Sequence, residues 1–323
     1  MPHIIEYSSG SEVIAVVDIG TNTLRLLIGC VRDGIIKRIE SERAVTRLGE
    51  KLSQTGNLNR YNIEKSIKTL ILFKAIYEKY RVKHIIAVGT SALRDAKNRD
   101  EFIQDVKKRV GIDISVISGE REAYLTLLGV RSVINLSQGR RSIIIDIGGG
   151  STEIIFYHKE DSEFNKISIP VGAVKLLEQF IKNNTLTSSE ISNINEYLRA
   201  CFNPLVPLSL GHSSGQICSV IATGGTLTTL ASINLNLPSY NGNKVHGHTL
   251  SYSEIVSIFD RLKSLSLIEL YTIPGLEKER ADIILPGTLI LMSIMELLKV
   301  NELIVSDFGL MEGLLIETAD ELT

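Results

Sequence analysis

One short phrase is written twice, far apart, in this chain: Asp18-Ile19-Gly20-Thr21-Asn22-Thr23 and Asp146-Ile147-Gly148-Gly149-Gly150-Ser151-Thr152. Apolar runs lead into each copy, Val13–Val17 and Ile143–Ile145, and out of each, Leu24–Ile28 and Ile154–Tyr157. That spells strand, tight turn, strand in both places. Each turn carries one acid, glycine and small hydroxyl residues. Glycine lets the main chain approach a ligand closely, and such a turn can aim N–H groups at an anion. The acid would repel a bare phosphate, so it makes most sense beside a bound Mg²⁺. Two such loops facing each other would grip a phosphate chain from both sides. The plainer alternative is a pair of ordinary hairpin turns. Neither loop continues into Gly-Lys-Ser/Thr and a helix, so neither is a Walker-type P-loop.

The wider pattern also restarts. In the first half, strands are expected at Val13–Val17, Leu24–Val31, Ile35–Glu40, His84–Val88 and Ile114–Ile117. Helices are expected at Asn62–Tyr80, Arg99–Val110 and Glu120–Ile134, where apolar residues recur at helical spacing. Asn135–Arg141 is polar and reads as a joint. The second half repeats the scheme with strands at Ser142–Asp146, Glu153–Tyr157, Lys166–Ile169, Cys218–Ala222 and Leu303–Ser306. Its helices are expected at Ala173–Lys182, Ser189–Phe202, Leu227–Asn236, Ser253–Leu265, Arg280–Lys299 and from Met311 onward. At 323 residues and 44% hydrophobic, the chain can fill two cores.

A net charge of −2 advertises no nucleic acid, so local Arg and Lys must hold any polyanion. Cys30, Cys201 and Cys218 are scattered, which suits a reducing cytosol and not a disulfide framework. Met1–Glu12 lacks the basic and apolar regions of a signal peptide. The greasiest stretch, Leu285–Leu298, is broken by Pro286, Ser293 and Glu296 and reads as a core helix, not a membrane span. The expectation is a cytoplasmic protein without a membrane or nucleic-acid partner.

The two loops belong to a larger set of motifs: Arg47-Leu-Gly-Glu50, Gly89-Thr-Ser-Ala-Leu-Arg94, Ile117-Ser-Gly-Glu-Arg-Glu-Ala123, Ala222-Thr-Gly-Gly-Thr226 and Arg280-Ala-Asp-Ile-Ile-Leu-Pro-Gly287. With them the chain resembles, nearly end to end, the Ppx/GppA phosphatase family of exopolyphosphatases and guanosine pentaphosphate phosphohydrolases. The resemblance implies an α/β fold of two actin-like, ribonuclease H-like domains around a central cleft, as in acetate and sugar kinases and Hsp70. It implies a short form with residues 1–124 plus 307–323 in the first domain and 125–306 in the second. It further implies a Mg²⁺-dependent hydrolase and a homodimer. One motif departs: the family usually reads Gly-Leu-Arg-Glu-Gly where this chain has Gly309-Leu-Met311-Glu-Gly313.

Residue roles follow from the same resemblance. Glu122 matches the family's catalytic glutamate, although an acid in a first helical turn is ordinarily a dipole partner, the role left to Glu120. Asp146 matches a metal-linked aspartate. Asp18 holds the equivalent place in the first loop, and Glu153 matches a further acidic position, so all three are metal candidates. Gly20, Thr21, Asn22 and Thr23 of one loop, and Gly148, Gly149, Gly150, Ser151 and Thr152 of the other, are candidates for phosphate. Arg94 joins them, because a guanidinium fork suits phosphate oxygens. Arg25, Arg47 and Lys175 are weaker candidates for further phosphates. Ala222–Thr226 resembles a segment that holds adenosine in kinases of this fold, or it is a packing turn. His246 and His248 alternate as strand neighbours would and so share a face.

The expected activity is exopolyphosphatase: polyphosphate plus water gives a chain shorter by one phosphate. The alternatives are removal of the 5′ γ-phosphate of guanosine pentaphosphate (pppGpp), a small-molecule kinase of the same fold, and a non-catalytic sensor.

Overall fold

The structure is a computed structural model that describes residues 12–136, 141–158, 164–182, 186–205 and 217–322. Most of the expected joint at Asn135–Arg141 and of the segment Met1–Glu12 lies outside the described residues.

The first sheet runs in the order β3-β2-β1-β4-β5, with β1 (Ile14–Ile19), β2 (Thr23–Arg32), β3 (Ile35–Val45), β4 (His84–Gly89) and β5 (Ile114–Val116). Strand β1 is buried along its whole length, which explains its unbroken apolar sequence. It pairs antiparallel with β2 and parallel with β4. Strand β3 is an edge, rich in Lys, Arg and Glu, and none of it is fully buried. The second sheet contains β6 (Arg141–Ile147), β7 (Thr152–Tyr157), β8 (Asn165–Ile169), β9 (Ile217–Thr223), β10 (Thr249–Ser251) and β11 (Glu302–Val305). Its order is β10-β11-β9-β6-β7-β8. Leaving out β10, an antiparallel edge strand too short to read from the sequence, the second sheet repeats the first strand for strand. This is the duplicated actin-like fold that the motifs implied.

Apart from four-residue helical turns, the helices among the described residues are α1 (Arg60–Lys79), α2 (Ser91–Asp95), α3 (Arg99–Val110), α4 (Gly119–Arg131), α5 (Ala173–Phe180), α6 (Ser188–Phe202), α7 (Gly225–Asn234), α8 (Tyr252–Lys263), α9 (Ile284–Leu298) and α10 (Leu310–Glu321). Helices α1 and α3 bury Ile67, Leu70, Phe102 and Val106 against one face of the first sheet. On its other face, Leu125 of α4 and Leu314 and Leu315 of α10 meet Ile14, Val16 and Leu27. The remaining apolar side of α4 (Ala123, Leu127, Val130) packs on Ile144, Ile155 and Ile221 of the second sheet. One helix is thus wedged between both sheets, and its position fixes one half of the molecule against the other.

Some expected boundaries move. Helix α9 begins at Ile284, after a 3₁₀ turn at Lys278–Arg280, and not at Arg280. Pro286 falls in its first turn, where a missing N–H leaves no helical bond unmade. His246 and His248 are not strand neighbours. His246 caps the helical turn Gly242–Val245, Gly247 turns the chain with φ 79°, and β10 starts only at Thr249. The rings then serve different partners. His246 Nδ1 accepts the Asp307 N–H at 3.3 Å, and His248 Nε2 meets Asn234 Oδ1 at 2.8 Å.

Candidate active site

The repeated phrase folds into the same turn twice. Asp18 faces Arg25 across the β1–β2 hairpin, and Asp146 faces Glu153 across β6–β7. The Gly20 N–H donates to Thr23 O at 3.1 Å, and the Gly148 N–H donates to Ser151 O at 2.9 Å. In both loops the next carbonyls are tied back into the protein. Thr21 O accepts from Gly49 N–H, Asn22 O from Thr46 and Arg47, Gly148 O from Ala173, and Gly149 O from Val174. Among the described residues, no acceptor takes the N–H groups of Thr21, Asn22, Gly149 and Gly150. Turns with their carbonyls satisfied and their amides free have the donors an anion needs, in the manner of a backbone nest.

The nests touch. A Cβ on Gly150 would lie 2.5 Å from Ser91 Oγ and 2.6 Å from Thr21 Oγ1, so only glycine permits this approach. Both loops line one cavity of about 90 Å³, together with Asp18, Glu122 and Asp146. Outside the cavity lining, ion pairs join the two halves: Arg47 with Asp282 at 2.6 Å, Lys175 with Asp95 at 2.8 Å, and Arg43 with Glu277. Glu178 adds bonds to the Lys51 N–H and the Ser53 hydroxyl.

Asp18, Glu122 and Asp146 line the cavity, and Glu153 lies behind them, outside its lining; Asp18, Glu122 and Glu153 are buried and Asp146 is half-buried. Helix α4 carries Glu122 in its first turn, capped by Ser118, whose hydroxyl accepts the Arg121 N–H. Arg94 Nη1 grips Glu122 Oε2 at 2.6 Å and also donates to Ile117 O, while Nη2 reaches Ser151 Oγ at 3.2 Å. Burial pushes the Glu122 pKa up to about 7; Arg94 works against the rise, and Asp146 and Asp18 add to it. Burial also raises Glu153 well above the usual range, reinforced by Glu122 and Asp146 and opposed by the Ser168 hydroxyl, which donates at 2.7 Å. Arg25 donates to Asp18 Oδ2 at 3.0 and 2.7 Å.

This donor set suits a hard divalent cation. Arg25 pairs with Asp18 and Arg94 with Glu122. Asp146 has no ion pair among the described residues, and Glu153 has only the far end of Arg94 at 3.9 Å. Asp18 Oδ1 is buried without a hydrogen-bond partner. No three His, Cys, Asp or Glu side chains among the described residues could hold an ion by themselves. Water and substrate oxygens would complete the shell, which is the usual habit of Mg²⁺.

Other candidates lie elsewhere. Thr152 gives its hydroxyl to Val171 O at 2.7 Å, so its side chain is structural. Arg94 sits behind Glu122 and does not line the cavity, and neither Arg47 nor Lys175 lines it. Thr90, Ser91, Thr226 and Arg280 line the cavity without having been singled out for it. Arg280 lies across Gly225, where any Cβ would overlap the guanidinium; Ala222–Thr226 is thus a platform for an arginine. Burial lowers the Arg280 pKa, and Arg43 and Arg25 lower it further, although Glu277 pairs with its Nε at 3.3 Å. A second cavity of about 310 Å³ continues from there, bordered by Arg25, Arg43, Arg280 and Tyr240. Met311 also borders it. Arg38 of β3 locks the C-terminal segment instead, through Asp307 at 2.6 Å and Glu312 at 2.7 Å.

Two actin-like halves with paired glycine loops lining one cavity define the class. The chain matches the Ppx/GppA phosphatase family over residues 27–322 and belongs to it. Membership makes it a phosphatase, a hydrolase by class. It is 32% identical to a Fusobacterium nucleatum protein named bifunctional 3-dehydroquinate synthase/phosphatase, over 97% of this chain but only 48% of that relative. It is 28% identical to Exopolyphosphatase 1 of Mycobacterium tuberculosis, over 95% of this chain and 88% of that protein. The crystal structure of the Aquifex aeolicus Ppx/GppA family member superposes with a TM-score of 0.80 at 33% identity, over 97% of this chain and 99% of the other. Among the described residues, no helix is long and apolar enough to cross a membrane.

Proposed function

We propose that the protein is a cytosolic exopolyphosphatase that hydrolyses the terminal phosphate of inorganic polyphosphate with Mg²⁺. One observation carries this reading: two nests of free amides, one from each half, converge on a cavity that holds a carboxylate with its pKa near 7. The terminal phosphate accepts from the amides of both loops. Glu122, oriented by Arg94, takes a proton from water as the water oxygen bonds to the terminal phosphorus. The bridging P–O bond breaks on the opposite side, and the shortened chain leaves with that oxygen. A base with a pKa near the working pH is well matched to this step. Asp146, with Asp18 and Glu153 beside it, would hold Mg²⁺, which when bound offsets charge on the phosphate oxygens. The rest of the chain runs toward Arg280, Arg25 and Arg43.

A second reading, the pppGpp 5′-phosphohydrolase, is favoured by the second cavity of about 310 Å³, which could take something bulkier than a phosphate chain. Phosphate release from short polyphosphate, long polyphosphate, pppGpp and ATP, each with and without Mg²⁺, tests both. Mg²⁺-dependent release from polyphosphate without any acceptor supports the proposal and excludes a kinase. Release from pppGpp alone favours the second reading. Tight binding without release leaves a sensor.

A further inference from the structure

We propose that Thr126 is a positioning residue that holds the Asp146 carboxylate in the orientation in which it takes a divalent cation. This rests on the reading above, in which Asp146 takes part in binding Mg²⁺.

Thr126 lies one helical turn beyond Glu122 on α4, so both side chains share the face turned to the site. It is fully buried, at 0% exposure. A threonine inside a helix ordinarily returns its hydroxyl to the carbonyl four residues earlier. Others among the described residues do so, among them Thr69 to Lys65 O at 3.0 Å, Thr228 to Gly224 O at 3.2 Å, Thr229 to Gly225 O at 2.7 Å and Thr288 to Ile284 O at 2.7 Å. Thr126 does not. Its hydroxyl reaches across to Asp146 Oδ2, 3.4 Å away, on a strand of the second sheet. That is the one side-chain hydrogen bond the structure gives Asp146 among the described residues.

The placement has a mechanical consequence. Helix α4 is wedged between the sheets, so Glu122 and Thr126 move as one body. Glu122 is the proposed base, and Thr126 fixes the carboxylate on the metal side. The spacing between base and cation is then set by a single turn of helix. Partners of this kind, which bind a ligand's carboxylate and not the metal, typically alter metal affinity about 10–100-fold when removed.

The test is Mn²⁺ binding to metal-free protein, read as free Mn²⁺ by electron paramagnetic resonance, so no turnover is needed. Thr126→Val removes the hydroxyl while keeping nearly the same shape, and Thr126→Ser restores it. The expected result is Mn²⁺ affinity weakened about 10–100-fold in the valine variant and within a few-fold of wild type in the serine variant. Circular dichroism confirms that each variant is folded. Asp146→Asn is measured in parallel. If it loses Mn²⁺ while Thr126→Val binds as wild type does, the positioning role is wrong and the reading of Asp146 stands. Should Asp146→Asn also bind like wild type, both fall together.

Discussion

In the proposed mechanism, Glu122 is the residue on which the chemistry turns. Replacing it by Gln keeps its size and removes its basicity. We expect kcat for polyphosphate to fall about 10²–10⁴-fold with KM little changed, since a positioned base contributes about that much. A variant that turns over at the wild-type rate would take Glu122 out of the mechanism. The same group sets a pH dependence. Its pKa is about 7 in the folded chain against an ordinary 4.5, so kcat/KM should fall as pH drops below about 7. Stability moves the other way. The folded state binds this proton more tightly than the unfolded state, so the stability it gives is complete below about pH 4.5 and lost as pH rises through about 7. Thermal melts of metal-free protein should show wild type losing stability relative to Glu122→Gln between about pH 5 and about pH 8. Equal slopes would mean that Glu122 titrates at its ordinary pKa. From the sequence, Glu122 reads as one of two acids in a first helical turn, and only the family motif separates it from Glu120. The hold of Arg94 on Glu122, and the orientation of Thr126 away from its own helix, depend on contacts between distant segments. No local pattern encodes them.

The elements that make the site are two hairpins and a helix. The hairpins were legible because a strand–turn–strand unit is local: apolar runs of the right length, an Asp-Ile-Gly turn, then apolar residues again. Their mutual contact was not, because it depends on how the sheets face each other. Gly150 records that contact. Gly150→Ala should press against Thr21 and Ser91, costing about 1–3 kcal/mol by overpacking, and should also misplace a loop amide. Urea unfolding and phosphate release, measured together, would show stability and activity falling in step. Full activity in this variant would mean the loops do not meet as described. The misread elements share a cause. His246-Gly247-His248 alternates like a strand, yet Gly247 adopts φ 79° and reverses the chain. Arg280–Ile283 continues the apolar pattern of α9, but Arg280 must lie over Gly225, and the backbone takes a 3₁₀ turn first.

At the scale of the molecule, ion pairs join the two halves, Arg47–Asp282, Lys175–Asp95 and Arg43–Glu277, with Glu178 bonded to Lys51 and Ser53. Each partly exposed pair is worth only about 0–1 kcal/mol, so they act together as a weak bias toward closure. Asp282→Asn combined with Glu178→Gln should raise the radius of gyration seen by small-angle X-ray scattering, as should high salt with the wild-type chain. No change in either would show that packing, not charge, holds the halves together. Closure matters because neither loop alone offers enough donors for a polyanion in a chain of net charge −2. The central claim is that one terminal phosphate is shared by both loops. A crystal structure of Glu122→Gln with a short polyphosphate and Mg²⁺ tests it most directly. The account predicts the terminal phosphate within about 3 Å of main-chain N–H groups from both Thr21–Thr23 and Gly148–Ser151. An anion held by one loop only, or bound outside the cleft, would contradict it.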